Sequence, residues 1–127
     1  MKITIKSWDL GPDDQLLHQR VDVETEPWLC LTFYIDYGGD GRADMFSIDL
    51  IGMKAPPDHA FTLGVKHIRT QGQFVPDALA KKIADYLERN SQGSEQANLE
   101  FLRGLLNWEF EFADRTAFNT CLSDFRS

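Results

Sequence analysis

The longest run of strict alternation between apolar and polar positions lies between Trp28 and Gly52. Leu29, Leu31, Phe33 and Ile35 fall on one face, and Cys30, Thr32, Tyr34 and Asp36 on the other, the period of two of a strand with one buried side. Beyond Gly38-Gly39-Asp40-Gly41 the alternation resumes, with Phe46, Ile48 and Leu50 opposed to Met45, Ser47 and Asp49. The pattern predicts two long strands, Trp28–Tyr37 and Arg42–Gly52, joined by a turn whose glycines supply the positive φ a hairpin connection needs. A sheet would form around this hairpin.

The flanking chain fills in the sheet and its cover. Ile3 and Ile5 alternate with Lys2, Thr4 and Lys6 in a first strand over Met1–Asp9, which Leu10-Gly11-Pro12-Asp13 breaks. Residues 13–27 read as a loop with a short strand at Arg20–Val23, and Glu26-Pro27 imposes an extended entry into the hairpin. Met53–Asp58 is loop by composition, and a further strand within Leu63–Arg69 is expected to pair with the hairpin. Pro76-Asp77 opens a helix in which Leu79, Ile83, Tyr86 and Leu87 form an apolar stripe, since proline in the first turn loses no useful N–H. Asn90-Ser91-Gln92-Gly93 ends it. Ser94 then caps a second helix carrying Leu99, Leu102 and Leu106, with Phe101 and Leu105 beside them. Trp108-Glu109-Phe110-Glu111-Phe112 alternates again and predicts a half-buried strand. Phe118, Leu122 and Phe125 predict a short helix in the tail. Strands first and helices late define an α+β domain: an antiparallel sheet of four to five strands with two helices packed on one face, in one domain over residues 1–127.

Composition narrows the class without naming a chemistry. At 127 residues and 43% hydrophobic content the chain can bury one core. It has no run of about 18 apolar residues and no signal-peptide block at its start, so a cytoplasmic protein with no membrane partner is expected. Cys30 and Cys121 stand apart in sequence, and two reduced thiols are expected in preference to a disulfide. The net charge of -7 is concentrated between Asp9 and Glu26, in the hairpin, and between Glu95 and Asp114. Such a surface is repelled by a phosphate backbone, so direct nucleic-acid binding is disfavoured, while a basic protein partner is allowed.

Each candidate chemical site has a plainer reading beside it. Asp36, Asp40 and Asp44 bracket a glycine-rich turn, but Gly38 and Ser47 stand where a calcium loop needs oxygen ligands, so a hairpin turn is the preferred reading. Glu109 and Glu111 on one strand face would lie about 6 to 7 Å apart, a separation glycosidases use. Nothing adjacent marks a sugar site, and a solvated or partner-facing surface is preferred. His18, His59 and His67 lie in no metal-binding or triad motif. No cofactor or metal is expected, and no enzymatic activity.

Two stretches resemble a known family, immunity protein 8 of bacterial polymorphic toxin systems. They are Ala43-Asp44-Met45-Phe46-Ser47-Ile48-Asp49-Leu50, similar to that family's acidic and aliphatic strand, and Asn107-Trp108-Glu109-Phe110-Glu111, similar to the strand that closes its domain. The order of elements between them agrees over Met1–Phe112. The chain departs from the family pattern at Ile51-Gly52-Met53, where Cys-Thr-Pro is usual, and at Phe112-Ala113, where Asp-Tyr is usual. The resemblance implies a protein that binds a cognate toxin domain and neutralises it. Apart from the resemblance, exposed carboxylates at Asp36, Asp44, Asp49, Glu109 and Glu111, with Trp28 and Tyr34 as aromatic anchors, are the expected contacts. The alternatives are an acidic accessory domain of a larger assembly and a small carboxylate-dependent enzyme.

Overall fold

A computed structural model describes residues 1–24, 29–52 and 66–111. The expected hairpin is its centre: β3 (Leu29–Asp36) and β4 (Asp44–Gly52) pair antiparallel from Leu29 opposite Leu50 to Ile35 opposite Asp44. β1 (Thr4–Gly11) lies antiparallel on the free side of β3. β2 (Val21–Asp22) pairs instead with β6 (Gln73–Phe74) in a separate two-stranded ribbon. The segment read as loop after residue 13 contains a 3-10 helix, Asp14–His18, capped by the Asp13 carboxylate on the Gln15 N–H.

The far edge of β4 is shared by two short strands. β7 (Asn107–Trp108) pairs antiparallel with Phe46 and Ser47, and β5 (His67–Thr70) pairs parallel with Asp49–Gly52. Asn107 bridges the break between them. Its Oδ1 accepts from the Lys66 N–H at 2.9 Å, while Nδ2 donates to the carbonyls of Ser47 and Lys66 at 3.3 and 3.2 Å. The expected strand Trp108–Phe112 is therefore shorter: Glu109–Glu111 is a turn, with the Glu111 N–H closing onto the Trp108 carbonyl.

Two helices complete the α+β fold, α1 (Pro76–Arg89) and α2 (Glu95–Leu105). Leu31, Phe33, Ile35, Phe46, Ile48 and Leu50 from the inward faces of β3 and β4 form one core with Ala80, Ala84, Leu87, Leu102 and Leu106. Three residues of the expected α1 stripe face the core, Leu87 buried and Leu79 and Ile83 packed against it, and only Tyr86 departs from it. Ala80 and Ala84 are buried, Leu79 and Ile83 flank them, and Tyr86 is exposed against Phe101, ring centroids 6.3 Å apart. Small residues let the helix axis approach the sheet, so the contact line runs through Ala80, Ala84 and Leu87, with Leu79 and Ile83 beside it.

Side chains blunt the outer edge of β1, a row of N–H groups that could otherwise template another chain. Ser91 Oγ takes the Ile3 N–H at 2.8 Å, Glu88 Oε2 that of Ile5 at 3.0 Å, and Asp14 Oδ1 that of Leu10 at 3.0 Å. Asn98 is a buried polar residue the apolar pattern does not reveal. At 0% exposure it accepts from the Gln92 N–H at 2.6 Å and donates to the Tyr37 carbonyl at 3.0 Å and the Met1 carbonyl at 3.4 Å. One side chain thus ties the interhelical loop, the amino terminus and the hairpin end.

Candidate partner-binding surface

The hairpin end is a structured loop, Tyr37–Ala43, anchored by Asp36. This carboxylate is 5% exposed and accepts three backbone N–H bonds, from Gly38 at 3.1 Å and Gly39 at 2.8 Å on Oδ1 and from Gly41 at 2.9 Å on Oδ2. Gly39 and Gly41 take φ of 74° and 84°, as expected of the turn. Asp36 is thus not the exposed carboxylate expected from sequence, because alternation does not register a side chain that folds back onto its own turn. Asp40 binds Arg42 at 2.8 Å, and these hydrogen bonds hold its carboxyl below the usual range.

Asp44 stands at the end of β4 on the core side. Its Oδ2 accepts from the Tyr37 hydroxyl at 2.7 Å and from Trp108 Nε1 at 3.1 Å. Burial, then the bond to Asp44, raises the Tyr37 pKa, so the phenol stays protonated and donates. Around this pair is a cleft of about 320 Å³ walled by Tyr37, Trp108 and Phe110, with Asp40, Arg42, Asp44, Glu95 and Gly38 at its margin. Phe110, 44% exposed, meets Trp108 edge to face at 5.6 Å.

Glu111 accepts both Arg103 Nε and Nη2, at 2.8 and 3.0 Å, and the Arg103 guanidinium lies 5.1 Å from the Trp108 ring centroid. Glu109 is exposed and its N–H bonds the Met45 carbonyl at 3.0 Å. The two glutamates therefore do not share a strand face, because the strand ends at Trp108. The alternating Trp-Glu-Phe-Glu pattern serves equally a turn in which one acid finds an arginine.

The other face of the hairpin bears Tyr34 opposite Met45, the latter 42% exposed. Tyr34 donates to Asp9 Oδ2 at 2.9 Å; that bond raises its pKa most, with smaller contributions from burial and from the charges of Asp9 and Glu109. An exposed thioether and a phenol thus sit between two carboxylates. This face meets the aromatic cleft at the Glu109–Phe110 turn. Further along, Cys30 lies opposite Asp49 and Asp49 opposite His67. Burial and then Asp49 push the Cys30 thiol up to about 11, and burial raises Asp49 itself, opposed by Cys30 and His67. Burial, reinforced by the neighbouring carboxylate, keeps the sulfur protonated at neutral pH, the reverse of what activates a cysteine nucleophile.

Trp28, His59 and Cys121 lie outside the described residues, as do the expected loop at Met53–Asp58 and the tail helix; Cys30 is a free thiol. Among the described residues no group of three or more His, Cys, Asp or Glu side chains is placed to hold a metal, and no helix is long and apolar enough to cross a membrane. No family model matches this chain, nor does any curated protein or solved structure. The fold and surface define an α+β domain with helices on one side of a mostly antiparallel sheet and an acidic, aromatic-rimmed hairpin end.

Proposed function

We propose that this protein is an immunity protein, which binds a cognate contact-delivered toxin domain in the cytoplasm of the producing bacterium and neutralises it by occlusion without catalysis. The observation that carries the reading is the hairpin end. Tyr34, Met45 and Phe110 offer adaptable and aromatic contact area, and Asp9, Asp44, Glu95 and Glu109 surround them with negative charge. Interfaces concentrate affinity in such anchors and use charge for encounter rate and register. The two stretches that resemble the immunity family support the reading further. They are neighbours in space, β4 pairing with β7 through Phe46 opposite Trp108 and Ser47 opposite Asn107, and they contribute Asp44, Met45, Glu109 and Phe110 to this surface.

A basic toxin cleft is the natural counterpart. A nuclease must hold phosphates, and an acidic surface attracts and fills a cleft built for them. The test is growth of a host expressing the carboxy-terminal portion of the adjacent upstream reading frame, with and without this protein. Rescue together with copurification of the two chains is expected. An upstream product that is harmless, or that kills regardless, overturns the reading and leaves the accessory-domain alternative to be pursued.

A further inference from the structure

We infer that the cleft between the hairpin end and the start of α2 is a receptor for one arginine side chain of a protein partner. The inference rests on the proposed function only for the identity of that partner. The lining comprises the rings of Tyr37, Trp108 and Phe110, the glycine Gly38 and four charged side chains, Asp40, Arg42, Asp44 and Glu95; Asp40 engages Arg42 at 2.8 Å, so Asp44 and Glu95 are the carboxylates left for an incoming cation. Aromatic faces attract a cation through the ring quadrupole, and carboxylates at the edge complete its hydrogen bonds. A guanidinium suits these walls better than an ammonium, being planar, weakly hydrated and able to stack while its N–H groups point sideways.

Three observations make this more than a collection of acids. First, the cleft acids are not equally committed. Asp40 is bound to Arg42, and Asp44 is oriented by Tyr37 and Trp108, whereas the Glu95 carboxylate accepts no hydrogen bond among the described residues and acts on Arg42 and Tyr37 through its charge alone. Second, Glu95 lies over Gly38: a Cβ on that residue would stand 2.9 Å from Glu95 Oε1 and 3.0 Å from Cδ. The missing side chain is the space the carboxylate occupies. Third, the protein already uses the same recognition once. Arg103 lies over the Trp108 ring at 5.1 Å and is gripped by Glu111, and neither of these two partners lines the cleft, to which Trp108 also contributes. A second guanidinium placed in the cleft would find the same pairing of aromatic rings with a carboxylate, Glu95 taking the role of Glu111.

The experiment titrates the full chain with N-acetyl-arginine N-methylamide and follows the Trp108 indole N–H by NMR, assigned by its loss in Trp108→Phe. A saturable shift is expected, absent with the citrulline analogue, which keeps the shape and lacks the charge. Glu95→Gln should weaken binding about fivefold, the size of one exposed charge pair. Gly38→Ala should weaken it comparably: it keeps every charge, and its backbone is not in the left-handed region, so the flexible glutamate moves and the fold is retained. No saturable shift, an equal response to the citrulline analogue, or unchanged binding in both variants overturns the inference. The probe contains no toxin, so such a failure is distinct from failure of the immunity reading, which the growth assay decides.

Discussion

Replacing Asn98 by alanine should be the most damaging single polar substitution in this protein. The side chain is 0% exposed, and its amide satisfies the Gln92 N–H at 2.6 Å and the Tyr37 carbonyl at 3.0 Å, with a longer contact to the Met1 carbonyl at 3.4 Å. Removing it strands at least two backbone groups, at about 1 to 3 kcal/mol each where water cannot replace the partner. Alanine's better helix propensity returns about 0.5 kcal/mol. The net cost is about 3 kcal/mol, which for a domain of this size lowers Tm by roughly 10 to 15 °C. Urea unfolding followed by circular dichroism should show the midpoint falling at constant m-value. Asn98→Leu fills the volume and should not recover the loss, because both backbone groups still lack partners. Asn98→Asp keeps the acceptor for Gln92 but sets a carboxylate against two carbonyl oxygens. Its folded pKa is then raised, so its deficit should be smallest at acid pH and grow as pH rises through the carboxylate range. A loss below about 0.5 kcal/mol in Asn98→Ala, the scatter of ordinary surface changes, would refute the hub assigned to this residue.

Other perturbations test the hairpin and its outer face. Asp36→Asn should cost about 1 to 2 kcal/mol, since an amide can serve the Gly38 and Gly39 N–H groups through its oxygen but presents a donor to that of Gly41; chemical denaturation measures it. Asp49→Asn should raise Tm at pH 7. Burial lifts the folded pKa of Asp49, so the ionised acid reduces stability above its folded pKa, and the gain should vanish below the unfolded value of about 4. Cys30, with its pKa pushed up to about 11 from 9.0, should carry roughly 100-fold less thiolate than an unperturbed thiol at neutral pH. In a Cys121→Ser background, iodoacetamide should alkylate it far more slowly in the native protein than in denaturant.

The sheet was legible because alternation is a property of the strand itself. Every expected inward residue of the hairpin, from Leu29 to Leu50, is buried, and no tertiary information was needed to place them. The expected first strand, the Pro76 helix and the Ser94 cap, whose hydroxyl accepts from Ala97 at 3.2 Å, were readable for the same local reason. What escaped depends on partners remote in sequence. Asn98 reads as an ordinary polar helical residue until Tyr37 and Met1 are brought to it. The Trp108–Phe112 alternation misled because Arg103, which captures Glu111, lies on the preceding helix, and a period of two says nothing of that capture. The aromatic cleft was likewise hidden: Asp44 was visible as an acid, but its bonds to Tyr37 and Trp108 join positions 37, 44 and 108. Two glutamines at 109 and 111 would have left the alternation intact and removed the ion pair, which is why pattern alone could not distinguish strand from turn.

The most direct test of the central claim is the affinity of this protein for the carboxy-terminal domain encoded by the adjacent upstream reading frame, the toxin of the proposal, measured by titration calorimetry across salt concentration for wild type, Glu109→Lys and Met45→Asp. Tight binding that weakens with salt is expected, with a loss of at least about tenfold in each variant while their Tm values stay within a few degrees of wild type. Absence of binding, or binding indifferent both to salt and to these two changes, would contradict an acidic hairpin end as the surface that neutralises a toxin.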